Sequence, residues 1–146
     1  MAHESIGVFV IVRNIQNGKI LLGKRKNCYL SGSWGFPGGR LEKIESLISC
    51  ASRELLEETG LKGNTFQYLG VIRELQGSKD EKGYNFIHFA YLCLDYKGKP
   101  EVKEPDKCEE WRWFDADNVP ELMIPGHRCG IDFLKNPQGS SLRDLI

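Results

Sequence analysis

Residues 38–61, GGRLEKIESLISCASRELLEETGL, constrain this chain more than any other stretch. Pro37, Gly38 and Gly39 open the segment as a loop, and Gly60 is well placed to end a helix. Ser46 is a good N-cap, so the spacing predicts a helix over residues 47–59. With Leu47 at 0° and about 100° per residue, Ala51 falls near 40°, Leu55 near 80° and Ile48 near 100°. That arc is the expected buried stripe. On the same wheel Glu58 falls at about 20°, Glu54 at about 340° and Glu57 at about 280°. A solvated acidic face would lie opposite the stripe, at about 230°. The glutamates instead crowd its edge.

Carboxylates placed this way repel one another. A pair about 5 Å apart costs roughly 0.8 kcal/mol in bulk water and about 3 kcal/mol at an effective dielectric near 20. Protonation relieves part of that cost, and a hard divalent cation relieves it too. Oxygen ligands of this kind suit Mg²⁺, with Mn²⁺ as a substitute. No imidazole stands nearby in sequence to favour zinc.

The rest of the chain reads as alternating strands and helices. Residues 5–13 are β-branched and apolar, and Asn17-Gly18 signals a hairpin into a second strand, ILLGKR. Residues 27–40 read as loop with a short strand at 34–36. Further strands are expected at 65–75, 84–94 and 109–114, with a polar turn at 77–83 and a final helix at 126–134. The run at 84–94 is apolar on both alternating faces, so that strand should be covered on both sides. Residues 136–146 read as a polar, poorly ordered tail. An α/β domain with a mixed sheet sandwiched between helices, spanning 1–146, is the simplest architecture for 146 residues.

Charge narrows the function. Lysine plus arginine and aspartate plus glutamate balance at 20 each, which gives no electrostatic case for nucleic-acid polymers or membrane surfaces. The N-terminus lacks a basic n-region and reads as a first strand, not as a signal peptide. Five scattered cysteines without a C-x-x-C are expected to be free thiols in a reducing cytoplasm. His3, His88 and His127 show no metal-ligand spacing.

The spacing itself carries a resemblance. Gly39 is followed after five residues by Glu45, after seven more by Arg53-Glu54-Leu55, then by Glu57-Glu58, Gly60 and Leu61. This resembles the Nudix box, G-x5-E-x7-R-E-U-x-E-E-x-G-U with U aliphatic, at every defined position. Many members carry a third glycine where this chain has Ile44, a position that would be strained if the turn needs φ > 0. The resemblance implies a Nudix fold and a hydrolase acting on a nucleoside diphosphate linked to another group. It implies metal ligands at Glu54, Glu57 and Glu58, with the backbone carbonyl of Gly38. Arg53 and Glu45 would brace the loop against the helix. Glu57 is the expected general base, with Glu54 and Arg53 completing the catalytic set.

Outside the box the chain resembles the MutT-like branch, which acts on nucleoside triphosphates. Lys24 and Arg25 stand where that branch uses basic residues near the nucleotide. Glu104, with Glu109 in reserve, is the candidate to complete the metal site. Trp34, Phe36 and Trp111 could each stack a base or pack in the core. The implied reaction is Mg²⁺-dependent cleavage of a nucleoside triphosphate, deoxy or oxidised forms included, to monophosphate and pyrophosphate. Alternatives are a nucleotide-sugar, dinucleotide or prenyl diphosphate pyrophosphatase, and a non-catalytic nucleotide-sensing Nudix domain. The expected partner is a small-molecule nucleotide. The resemblance also allows a homodimer, although no stretch identifies an interface.

Overall fold

The computed structural model describes residues 4–28, 30–76, 84–137 and 142–145. The polar turn expected at 77–83 lies outside the described residues. In chain order the elements are β1 (Glu4–Val12), β2 (Ile20–Arg25), β3 (Trp34–Gly35), β4 (Gly38–Arg40), α1 (Leu47–Thr59), β5 (Lys62–Gly63), β6 (Gln67–Gln76), β7 (Tyr84–Cys93), β8 (Tyr96–Lys97), β9 (Cys108–Phe114), α2 (Pro125–Lys135) and β10 (Leu142–Asp144). One mixed sheet runs β10-β6-β7-β1-β4. In it β1 lies parallel to β7 and antiparallel to β4, and β6 lies antiparallel to β7. A second sheet runs β3-β2-β9, and β5 pairs with β8.

The alternation of β1 explains the layers. Val8, Val10 and Val12 pack in one core with Cys50, Ala51 and Leu55 of α1. Phe9 and Ile11, at the intervening positions, pack in another with Cys129, Ile131 and Phe133 of α2. The central sheet is thus covered on both faces by helices, as the apolar run of β7 requires. Each fully buried Leu, Ile or Phe contributes about 1.5–3 kcal/mol by leaving water. Exposed ion pairs contribute about 0–1 kcal/mol each, so these two cores hold the fold.

Several expectations are corrected. The Asn-Gly turn forms, with Gly18 at φ 75° and its N–H donating to the Asn14 carbonyl at 2.7 Å. It does not join a two-stranded hairpin, because both edges of β1 are taken by β7 and β4. Only an isolated bridge links Arg13 to Ile20, after which β2 enters the second sheet. The segment before α1 holds the expected short strand as β3 and a further, unexpected one, β4. The tail contributes β10, parallel to β6. Ile48, placed on the buried stripe of α1 by periodicity, is exposed, and Cys50 is buried instead. No helix among the described residues is long and apolar enough to cross a membrane.

Candidate active site

The site begins with the capping of α1. Ser46 Oγ accepts the Ser49 N–H at 3.1 Å. Gly60 ends the helix at φ 78°, a left-handed conformation that costs glycine little. The last carbonyls of a helix lack partners within it. Here the 98–107 loop and β9 supply them: Glu101 N–H donates to Thr59 O at 2.9 Å, and Lys103 N–H and Trp111 Nε1–H donate to Glu58 O at 3.4 and 3.2 Å. The loop that caps the helix thereby brings Glu104 into electrostatic contact with Glu58.

Glu54 and Glu58 lie one turn apart and hydrogen-bond to each other. Glu54 also lies directly on Gly39, where an added Cβ would collide with its carboxylate. Gly39 is held there by β4, in register with Val8 of β1. The Gly38 backbone lies beside Glu58. Burial raises the pKa of Glu54. Burial, reinforced by the Glu54 and Glu104 charges, pushes Glu58 well above the ordinary carboxylate range. Two carboxylates in contact cannot both ionise cheaply, so they share a proton or take a cation.

Arg53 organises the other side of the helix. Its Nε and Nη2 donate to Glu45 Oε2 and Oε1 at 2.6 and 2.9 Å. Its Nη1 donates to Glu54 at 2.9 Å and Glu57 at 3.2 Å, and Nη2 reaches the Arg40 carbonyl at 3.2 Å. The Arg53 hydrogen bonds bring Glu45 down to about 2. The pairing that the sequence suggested between Arg53 and Glu45 is present.

A cavity of about 680 Å³ opens over the carboxylates. Glu54, Glu58, Glu104, Gly38, Gly39 and Arg25 form part of its wall. Phe36, Phe86, Trp111, Gln76, His88 and His127 form another part. Arg25 Nε is buried and has no hydrogen-bond partner among the described residues. Other candidates are placed elsewhere. Glu57 is half-exposed, bonded to Arg53 and outside the cavity lining. Lys24 pairs with Glu109 at 3.5 Å, and neither lines the cavity. Trp34 is buried against Phe114, ring centroids 5.0 Å apart, under the Arg112 guanidinium. It serves the core because β3 pairs with β2 and turns the indole inward.

Periodicity did not single out Glu74, Gln76, His88 and His127. Glu74 and Gln76 alternate on one face of β6, and His88 interrupts the apolar run of β7. Polar residues at inward positions of apolar strands were the available signal. His127 Nδ1 accepts the Phe36 N–H at 2.9 Å, and burial holds the ring well below the ordinary histidine range.

The donor set fits a hard divalent cation. Three carboxylates, Glu54, Glu58 and Glu104, face one cavity beside the backbone of Gly38, with Gly39 leaving the space that Glu54 fills. Among the described residues no three carboxylate, thiol or imidazole groups stand already arranged around one point. Cation binding would therefore draw the carboxylates together out of their present hydrogen bonds.

Comparison with known proteins agrees with this geometry. The family model for the NUDIX domain matches residues 3–134. An oxidized purine nucleoside triphosphate hydrolase of Danio rerio is 33% identical over 77% of this chain and 69% of its own length. An ADP-ribose pyrophosphatase of Methanocaldococcus jannaschii is 32% identical over 94% of this chain and 77% of its own. The crystal structure of a MutT NUDIX hydrolase from Burkholderia pseudomallei superposes with a TM-score of 0.81 at 28% identity, covering 90% of this chain and 98% of that one. With the complete box on a matching fold, this chain belongs to the Nudix hydrolases, enzymes that act on phosphoric anhydride bonds.

Proposed function

We propose that this protein hydrolyses a nucleoside triphosphate to the nucleoside monophosphate and pyrophosphate, using Mg²⁺ or Mn²⁺ held by Glu54, Glu58 and Glu104 with the Gly38 carbonyl. The observation that carries this reading is the Glu54–Glu58 pair, two mutually bonded carboxylates on the wall of a nucleotide-sized cavity. The bound cation would neutralise phosphate charge and polarise the anhydride. Arg25, whose buried Nε has no partner among the described residues, offers a fixed positive charge to the phosphates. Lys24 joins it only by leaving Glu109. Phe36 and Trp111 supply flat apolar wall for the base.

In the reaction, water adds to phosphorus, the anhydride P–O bond breaks, and pyrophosphate leaves with the bonding pair. The water proton passes to a carboxylate. Glu57 fills that role only by swinging off Arg53, whereas Glu104 already stands on the cavity wall. Arg53 positions Glu54 in either case. The names of the relatives, covering oxidised purine triphosphates and ADP-ribose, support a nucleotide substrate. The five free cysteines fit a reducing cytoplasm.

A substrate panel tests this reading. Purified protein with Mg²⁺ meets ordinary and oxidised nucleoside triphosphates, nucleotide sugars, dinucleotides and a prenyl diphosphate, and the products are separated by chromatography. Monophosphate plus pyrophosphate from a triphosphate is expected. Cleavage confined to a sugar, dinucleotide or prenyl diphosphate would keep the metal site and overturn the substrate. Metal-dependent nucleotide binding without turnover would make the protein a sensor.

A further inference from the structure

The end of α1 is tied to the second sheet by one side chain. Glu58 stands in the last turn of the helix, where no further helical N–H follows to pair its carbonyl. Among the described residues two donors reach that carbonyl from outside. The Trp111 indole Nε1–H, at 3.2 Å, is nearer than the Lys103 N–H, at 3.4 Å. Trp111 lies on β9, directly opposite Gly23 of β2. Its six-membered ring rests on that glycine: a Cβ at position 23 would stand 2.5 Å from Cζ3, 2.7 Å from Cε3 and 2.9 Å from Cη2. Any side chain there would lift the indole off β2. The rest of Trp111 packs against the core beneath α1. Gly23, Trp111 and Glu58 all line the cavity.

The Glu58 carboxylate leaves the same residue whose carbonyl the indole holds. It lies against Glu54 and Glu104, whose charges oppose its own. Left to itself, the last turn would relieve that crowding by swinging the carboxylate away. Holding the carbonyl fixes the rotation of the turn, and with it the direction in which the carboxylate enters the cavity. Resting on the metal role of Glu58 above, we propose that Trp111 is a positioning residue for the reaction: seated on Gly23, its indole N–H aims the Glu58 carboxylate at the divalent cation. This role belongs to the N–H edge of the indole, whereas stacking a base would use the ring face.

Edge and face can be separated. Trp111→Phe keeps a flat ring and removes the N–H. Gly23→Ala keeps the whole indole and moves it. Mn²⁺ affinity is measured by calorimetry without nucleotide, so that no turnover is needed. Both variants are expected to bind Mn²⁺ about three- to tenfold more weakly than wild type, the value of one hydrogen bond. With Mg²⁺ and nucleotide, Trp111→Phe should lower kcat by a similar factor and leave the nucleotide KM within about twofold. In a Glu58→Gln background, Trp111→Phe should cost no further Mn²⁺ affinity, because the ligand that it aims is gone. An equal loss with and without the Glu58 carboxylate would make Trp111 a packing residue and overturn the proposal. Wild-type Mn²⁺ affinity in Trp111→Phe, with only the nucleotide KM raised, would overturn it too and leave the metal site standing. A wild-type protein that binds no Mn²⁺ would remove the metal reading and the proposal together.

Discussion

Arg53 grips Glu45 through two parallel hydrogen bonds, Nε to Oε2 at 2.6 Å and Nη2 to Oε1 at 2.9 Å. The fork ties the turn before α1 to the helix itself, and the same guanidinium steadies Glu54. Lysine keeps the charge and loses the fork. Arg53→Lys is therefore expected to lower kcat/KM by about 10–100-fold with an unchanged circular dichroism spectrum. Because Glu45 is lowered to about 2 from 4.5, its contribution to stability is present above 4.5 and disappears as pH falls toward 2. Glu45→Gln should flatten that part of the Tm-against-pH curve.

Glu58→Gln tests the carboxylate pair. A cation supplies several kcal/mol of charge stabilisation, so loss of a ligand should lower kcat by about 10³-fold. Gly39→Ala should do comparable damage without touching a carboxylate, because its Cβ would displace Glu54. Steady-state assays of both, beside Glu57→Gln and Glu104→Gln, rank the acids. Near-normal turnover in Glu57→Gln would remove Glu57 as the proton acceptor.

The same pair predicts a pH-dependent response to Mg²⁺. Glu54 and Glu58 are raised from 4.5, so their protonated forms stabilise the cation-free fold fully below 4.5. That contribution is lost as pH rises through their raised values. Thermal melts should show cation-free protein losing stability on the alkaline side of 4.5, and Mg²⁺ restoring most there and least in acid. A Mg²⁺ increment independent of pH would contradict the assignment.

Ile44 is fully exposed at φ 58°. The left-handed conformation costs a side-chain-bearing residue about 1–2 kcal/mol, and glycine's freer unfolded chain returns about 0.5–1 kcal/mol of that. Ile44→Gly should therefore stabilise the protein by about 0.5–1 kcal/mol in denaturant titrations, with kcat unchanged. The turn wants φ > 0, and the chain tolerates isoleucine there because nothing packs on its side chain.

Local rules made much of this protein legible. Ser46 and Gly60 bound α1 as their capping chemistry demands, and the Asn17-Gly18 turn forms where its dipeptide stands. The glutamate spacing pointed to the carboxylate cluster, because helical phase is a property of the sequence. Phase could not say which of the three would face the cavity. That depended on β4 lying beneath α1 and on the loop that carries Glu104. Ile48 went astray because an apolar residue is buried only where a neighbouring element arrives to cover it.

By itself, the sequence determined the box, the ends of the helix and the apolar alternation of the central strands, since each depends on residues close together in the chain. Tertiary structure alone decided that β1 and β2 part into different sheets, and that Glu74, Gln76 and His88 meet His127 across β6, β7 and α2. Strand partners and buried polar networks are chosen by competition among distant segments for the same edges and the same hydrogen bonds, and that competition is settled only when the chain is folded.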